Sequence, residues 1–364
     1  MTGAGVHCAV PPPREALLAR LGAGEPLGAP GSESWSASIF LALAPMEGIS
    51  DFVVRSMLSE LGGMDICVTE FIRVTDRPTP PAVLRRACPE LDMEGRTDSG
   101  VPVLVQLLGS DPTAVAESAR TACDLGALGI DLNFGCPARR VNGHHGGAAV
   151  LREPRDLERI VAATRSACPA RVSVSAKVRL GWDDPDDILD IAHAAEVGGA
   201  DWLTIHGRTK TGMYTSPADW RRIGLARAHV SIPVVANGDI FSPDDLVSCA
   251  QVTGCSAFML GRGAFQDPNL FRWIRGLDRG AWVQSHLCRL LLDFIARANA
   301  HHGPGTDRLA LNRLKQWVRS MGQTHPEMYN MFSTLKHIQT LHEAVGLICG
   351  AIDHTVHARP SLTL

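Results

Sequence analysis

Eight times along the chain, a short run of aliphatic or β-branched residues ends at a Gly- or Pro-marked loop and gives way to a segment of helical periodicity. The runs fall at 39–44, 66–71, 103–107, 129–132, 172–178, 202–205, 233–236 and 257–260. Several of the intervening helices open on clear start signals, such as Asp111-Pro112 and Ser242-Pro243-Asp244, where an acceptor side chain precedes proline at the first turn. Eight β/α units in one order, with no signature of a second sheet, predict an α/β fold of the TIM (β/α)8 barrel type. One segment departs from the rhythm: 75–100, rich in Pro, Arg and acidic residues, reads as an inserted loop or hairpin. Beyond about residue 280 the strand pattern stops. Segments 287–298, 309–321 and 328–345 carry apolar residues at helical spacing, which predicts a C-terminal helical bundle domain over 281–364. The barrel domain is then 38–280. Residues 1–37, rich in Gly, Pro, Ala and Ser, read as a disordered extension or as a start placed too early.

Composition excludes several classes. With 45% hydrophobic and 20% charged residues the chain has the balance of an ordinary globular protein, and no apolar run reaches the roughly 18 residues of a membrane span. The ten cysteines form no CxxC pair and no Cys/His ligand spacing, so no metal site is expected, and reduced thiols in a cytoplasmic protein are. The net charge of −3 conceals a split: from residue 281 onward, eight Lys and Arg face five Asp and Glu, alongside eight of the 14 histidines. A basic tail on an acidic body points weakly to a polyanionic partner.

The ends of the predicted strands carry the chemistry. In order they offer Met46, Arg73, Gln106, Asn133 with Cys136, Lys177 with Arg179, His206 with Arg208, Asn237-Gly238-Asp239, and Gly261-Arg262. A barrel brings all eight C-terminal strand ends to one face, where active sites are built. Cys136 stands between Gly135 and Pro137, three residues after Asn133 and ahead of a glycine-rich loop. An isolated cysteine is usually an inert core residue; these neighbours favour a functional thiol. Lys177 is one of only four lysines against 31 arginines, and on a buried strand it calls for an anion, either a ligand or a structural salt bridge. His206 reads as a ligand donor or a satisfied core histidine. Gly238, Gly261 and Gly263 follow strands seven and eight, where barrels bind phosphate through backbone N–H groups, and Arg262 adds a fork suited to it.

Taken together, Ala44-Pro45-Met46-Glu47-Gly48, Thr69-Glu70-Phe71, Gln106-Leu107-Leu108-Gly109, Asp131-Leu132-Asn133 with Gly135-Cys136-Pro137, Lys177-Val178-Arg179-Leu180-Gly181-Trp182, His206-Gly207-Arg208-Thr209, Asn237-Gly238-Asp239 and Gly261-Arg262-Gly263 resemble the tRNA-dihydrouridine synthase family. Thr69-Glu70-Phe71-Ile72-Arg73-Val74 and Leu314-Lys315-Gln316-Trp317 resemble its C subfamily, the bacterial branch that modifies uridine 16. The resemblance implies FMN held by Pro45, Met46, Glu47, Gln106, Lys177, His206, Asn237, Gly238, Asp239, Gly261 and Arg262, with NADPH as reductant. It implies hydride delivery to C6 of a uracil, a proton from Cys136 to C5, and a flipped base held by Asn133. Arg73, Arg179, Arg313, Lys315, Ser320 and Lys336 match tRNA-contacting positions; Lys336 stands where an arginine is usual, and Ser320 is an unusual residue at its position. A monomeric cytoplasmic enzyme is expected. The thiol chemistry agrees, because a cysteine near its ordinary pKa of about 8.5 is protonated at neutral pH and suits an acid better than a nucleophile. His144 and His145 depart from the family pattern in the loop after Cys136.

Two other readings share these residues. One is an FMN barrel enzyme acting on a free pyrimidine or another small molecule, as dihydroorotate dehydrogenases do, which has no need of a basic tail. The other is a tRNA-binding folding helper whose redox chemistry is dispensable.

Overall fold

The computed structural model describes residues 13–22, 32–138, 142–143, 146–277, 283–303 and 305–357. Eight parallel strands close a barrel: β1 (Phe40–Leu43), β2 (Ile66–Val68), β4 (Val103–Leu108), β5 (Gly129–Phe134), β6 (Ser173–Arg179), β7 (Trp202–His206), β8 (Val234–Asn237) and β9 (Ala257–Leu260), with β1 paired to β9 and β2 to β4. The predicted second strand, 66–71, ends early at Val68. After β2 the chain breaks step and returns as the two-residue β3 (Ile72–Arg73), which also pairs with β4, so Arg73 still reaches the C-terminal rim. Strands such as Val-Leu-Val-Gln-Leu-Leu are buried along their whole length, as expected where helices cover the outside and side chains fill the inside.

The helix starts follow the capping chemistry. Asp51, Asp111 and Ser242 accept from the backbone N–H of Val54, Ala114 and Asp245 at 3.0, 2.8 and 3.1 Å. Segment 75–100 is helical rather than a hairpin. It holds the helix Pro81–Ala87 and the 3-10 turn Pro89–Met93, and is anchored by the fully buried Arg55–Glu90 pair at 2.7 Å.

Within the segment 1–37 expected to be disordered, the described residues 13–22 and 32–37 are instead largely helical; residues 1–12 and 23–31 lie outside the described residues. Helix Pro13–Gly22 docks on the N-terminal end of the barrel, where Leu17 and Leu21 are 6% and 4% exposed and join Phe40, Ile66, Trp202 and Val235. Arg14 donates from Nε and Nη2 to Asp201 at 2.9 and 2.6 Å. A second helix, Glu33–Ser38, leads into β1. Two leucines one helical turn apart supply the apolar face that composition alone conceals.

Among the described residues the tail contains four helices, Gln284–His302, Asp307–Met321, Pro326–Leu335 and Leu341–His357. The predicted segment 328–345 therefore breaks after Leu335. Thr340 Oγ1 accepts from Glu343 N at 3.3 Å, the first half of a capping box that starts a new helix. The tail packs on the barrel's C-terminal side. Trp317 donates to Phe265 O at 3.0 Å and stacks on the Phe265 ring, and Arg313 pairs with Asp51 at 2.6 Å. Buried tail residues share one continuous apolar core with the barrel's outer helices. Among the described residues, no helix is long and apolar enough to cross a membrane.

Candidate active site

A cavity of about 550 Å³ opens at the C-terminal ends of the barrel strands. Pro45, Met46, Glu47, Asn133, Cys136, Lys177, Arg179, His206, Asn237, Gly238, Asp239, Gly261 and Arg262 all line it. Their convergence follows from strand register: Lys177 pairs with Asn133 and Thr204, and His206 with Arg179 and Asn237.

Cys136 is 8% exposed, and burial raises its pKa, with Glu47 adding to the rise and Arg179 opposing it. The thiol is therefore protonated at neutral pH. Its backbone N–H donates to Asn133 Oδ1 at 2.9 Å, and Gly135 N does so at 3.0 Å. The loop beyond is described only in part, and His144 and His145 lie outside the described residues.

Lys177, Arg179 and Arg262 line the cavity, with Arg179 Nε donating to Gly135 O next to Cys136 at 2.8 Å. Lys177 Nζ donates to Asn237 Oδ1 at 3.1 Å, and no carboxylate among the described residues lies within ion-pair distance of it. Burial pushes its pKa down to about 8, with Arg179 lowering it further and Asp131 opposing. His206 lies well below its ordinary value, first through burial and then through Lys177, Arg179, Arg208 and Arg262; it is neutral, and its Nδ1 is buried without a partner. Arg208 Nη1 is likewise unpartnered. Asp239, in left-handed backbone at φ +54, accepts from Arg208, from Arg262 at 2.9 Å and from Ala218 N at 2.8 Å. Its carboxylate thus fixes two arginines at the rim while itself lining the cavity.

Close packing and backbone conformation call for glycine in the cavity wall. A Cβ on Gly238, at φ +126, would fall 2.9 Å from Ala218 Cβ, and one on Gly261 would fall 3.3 Å from Met46 Sδ. Orphaned nitrogens, glycine-lined walls and a cation excess fit a phosphorylated, electron-rich aromatic group.

Other expected residues lie elsewhere. Gln106 is fully buried behind Asn133 and does not line the cavity. Arg73 is half-buried on β3. Arg313 donates to Ile49 O at 2.8 Å besides pairing with Asp51, so it straps the tail to the loop after β1. Lys315 Nζ donates to the carbonyls of Ile338 and Lys336 at 2.5 and 3.3 Å, at the end of helix Pro326–Leu335. Ser320 is half-buried, and Lys336 is exposed.

Two residues escaped sequence reasoning. Tyr214 lines the cavity with its ring 4.6 Å from the Arg262 guanidinium and 5.6 Å from those of Arg179 and Arg208. It sits in a loop with no periodicity, and its only signal is rarity, as one of two tyrosines. Asp131, two residues before Asn133 and so on the same strand face, was detectable by alternation.

The family model described as "Dihydrouridine synthase (Dus)" matches residues 42–347. A relative from Pseudomonas putida, "tRNA-dihydrouridine(16) synthase", is 44% identical over 300 residues, 81% of this chain and 92% of the relative. One of the same name from Haemophilus influenzae is 43% identical, covering 82% and 95%. Among solved structures, histamine dehydrogenase from Rhizobium sp. 4-9 superposes with a TM-score of 0.50 at 16% identity, over 66% of this chain and 46% of that one. That likeness speaks for the barrel fold alone.

Proposed function

The chain belongs to the dihydrouridine synthase family, and on that premise we propose that it reduces uridine to 5,6-dihydrouridine in tRNA, at position 16 of the D-loop, with FMN as cofactor and NADPH as reductant. The observation that carries this reading is one cavity holding a protonated buried thiol, a fixed amide, the cations Lys177, Arg179 and Arg262, and the unpartnered Nδ1 of His206. Met46, Lys177, His206, Asn237, Gly238, Gly261 and Arg262 would hold the flavin, with Asp239 orienting Arg262. When bound and reduced by NADPH, the flavin supplies a hydride for C6 of the uracil. The remaining chemistry belongs to the chain. Cys136 Sγ gives its proton to C5, and the thiolate left behind is stabilised by Arg179. Asn133 positions the base beside that thiol. A base reaches this depth only by leaving its stack, which costs a few kcal/mol and least in a loop. Contacts to the phosphates elsewhere on the tRNA offset that cost. Such a protein works in the cytoplasm, where its substrate is.

The test has two parts. The purified protein should show flavin absorbance that NADPH bleaches. Dihydrouridine mapping of tRNA from a deletion strain should show its loss at position 16, restored by the intact gene and not by Cys136→Ala. Flavin turnover on free pyrimidines with normal tRNA in the deletion strain would instead select the small-molecule reading. A purified protein that binds tRNA but shows no flavin absorbance, with dihydrouridine intact in the deletion strain, would select the folding helper.

A further inference from the structure

Beneath the cavity floor runs a line of hydrogen bonds whose direction is fixed at both ends. Asp131, 1% exposed on β5, accepts from Ser175 Oγ at Oδ1 and from Gln106 Nε2 at Oδ2, both at 2.6 Å. Gln106 Oε1 accepts from Asn133 Nδ2 at 2.8 Å, and Asn133 Oδ1 accepts from Gly135 N and Cys136 N. Register builds the line: Gln106 on β4 and Ser175 on β6 both pair with Asp131.

An ionised carboxylate only accepts, and a backbone N–H only donates. With Asp131 at one end and two N–H groups at the other, each amide between them has one permitted orientation. Turning Gln106 over would set its oxygen against the Asp131 carboxylate. Turning Asn133 over would set its NH₂ against Gly135 N–H and Cys136 N–H. Both lone pairs of Asn133 Oδ1 are taken, and one Nδ2 hydrogen goes to Gln106. What Asn133 has left for a guest in the cavity is a single N–H donor. Uracil and cytosine differ at position 4, where uracil offers a carbonyl oxygen and cytosine an amino group.

We propose that the one free N–H of Asn133 meets position 4 of the base rather than the acceptors both pyrimidines share, so that the Asp131–Gln106–Asn133 line makes the pocket selective for a 4-oxo pyrimidine over a 4-amino one, with Asp131 the positioning residue that sets the direction of both amides. The inference rests on the reading of Asn133 as the residue that holds the base. It is distinct from that reading, because it assigns the choice of base to a residue that touches neither base nor cofactor.

The line can be reversed with little change in volume or charge. Asn133→Asp alone places carboxylates on both sides of Gln106, which can donate to only one. Adding Asp131→Asn restores a complete line in the opposite sense. Residue 131 then donates to Gln106, Gln106 donates to residue 133, and the remaining acceptor capacity of residue 133 faces the cavity. The experiment uses flavin-loaded full-length protein, reduced beforehand, with tRNA transcripts carrying U16 or C16. Single-turnover reduction and equilibrium tRNA binding are read in parallel. The wild type should strongly favour U16. Asn133→Asp should lose reduction of U16 by about a hundredfold, and the double variant should raise the C16-to-U16 ratio at least about tenfold above the single variant, in both rate and affinity. A merely structural Asp131 would move both transcripts together and leave that ratio alone. Gln106→Met, which cuts the line while keeping its volume, provides a second arm if Asn133→Asp fails to fold; its U16-to-C16 ratio should fall about tenfold. A wild type that reduces C16 as readily as U16, a double variant no better than the single one, or a Gln106→Met protein with an unchanged ratio would each overturn the proposal. A wild type that reduces neither transcript would instead overturn the function it rests on.

Discussion

The two ends of the barrel treat charge in opposite ways. At the N-terminal end, carboxylates sit at the centre and arginines saturate them. Asp201 takes Arg14, Arg165 and the backbone N–H of Val174, while Asp65 takes Arg20, Arg275 and the N–H of Leu41. An apolar plug of Leu17 and Leu21 closes the space between. At the mouth the balance reverses: Lys177, Arg179, Arg208 and Arg262 converge, and Asp239 is the one acidic group to which the described salt bridges tie any of them. Burial lowers the pKa of Lys177 and Arg179, and buried nitrogens remain unpaired. One end is complete as folded. The other leaves costs that an anionic guest offsets, as expected where binding and stability draw on different parts of one sheet.

That contrast makes the sharpest test a pair of substitutions with opposite signatures. Cys136→Ala should leave thermal stability and flavin content near wild type while slowing single-turnover uridine reduction by about 10²–10⁴-fold, the range of a lost general acid. Wild-type rates in that variant would remove the thiol from the chemistry. Leu17→Ala should do the reverse, costing about 2–5 kcal/mol in denaturant unfolding as a buried leucine leaves a cavity, with uridine reduction unchanged below the melting transition. If Leu17→Ala unfolds with the wild-type midpoint, the plug adds nothing to the barrel.

How far these ends were legible follows from what encodes them. The mouth was readable because each strand end carries a polar residue next to a Gly or Pro break, and closing the barrel brings such positions together whatever lies between them. Cys136, Lys177 and His206 fell into place for that reason. Asp131 and Gln106 were harder, since their roles depend on cross-strand register, which no local pattern states. The plug was hidden by composition: two leucines in a Gly-, Pro- and Ala-rich stretch give a weak amphipathic signal, and only the open barrel end supplies their partner. The break after Leu335 was present as Thr340 and Glu343, a capping box within an otherwise continuous helical pattern.

A smaller effect probes the cavity's cations directly. Because burial holds Lys177 near 8 in the free protein, an anionic or electron-rich guest that favours the ammonium must raise that value on binding. FMN affinity should then fall as pH rises through about 8, by up to tenfold per pH unit, and Lys177→Met should flatten the slope. The free protein should show the matching sign. Its folded state disfavours the charged lysine, so unfolding free energy should rise between about 8 and the ordinary lysine pKa of 10.5. Affinity that is flat across pH 8 in the wild type would mean that Lys177 does not face the flavin.

The smallest effect concerns the tail, which belongs to the mouth end through Trp317 on Phe265 and Arg313 on Asp51. Its cations are not equivalent. Arg313 and Lys315 serve the fold, the first as a strap to the loop after β1, the second by closing the carbonyls of Lys336 and Ile338. Reversing Lys315 would set a carboxylate against those carbonyls, and any loss of tRNA binding would report a damaged helix end. Lys336 is exposed, and its side chain makes no ion pair among those described, so its charge is available to a phosphate. Lys336→Glu should therefore keep flavin, melting temperature and NADPH oxidation. It should weaken tRNA binding at low salt and flatten the plot of log affinity against log salt by roughly 0.7–0.9, the share of one phosphate contact. A parallel plot displaced downward would mean that the residue acts on tRNA by shape or on tail packing rather than by neutralising a phosphate. An unchanged plot would leave Lys336 a solvated cation and move the tRNA path to another face of the tail.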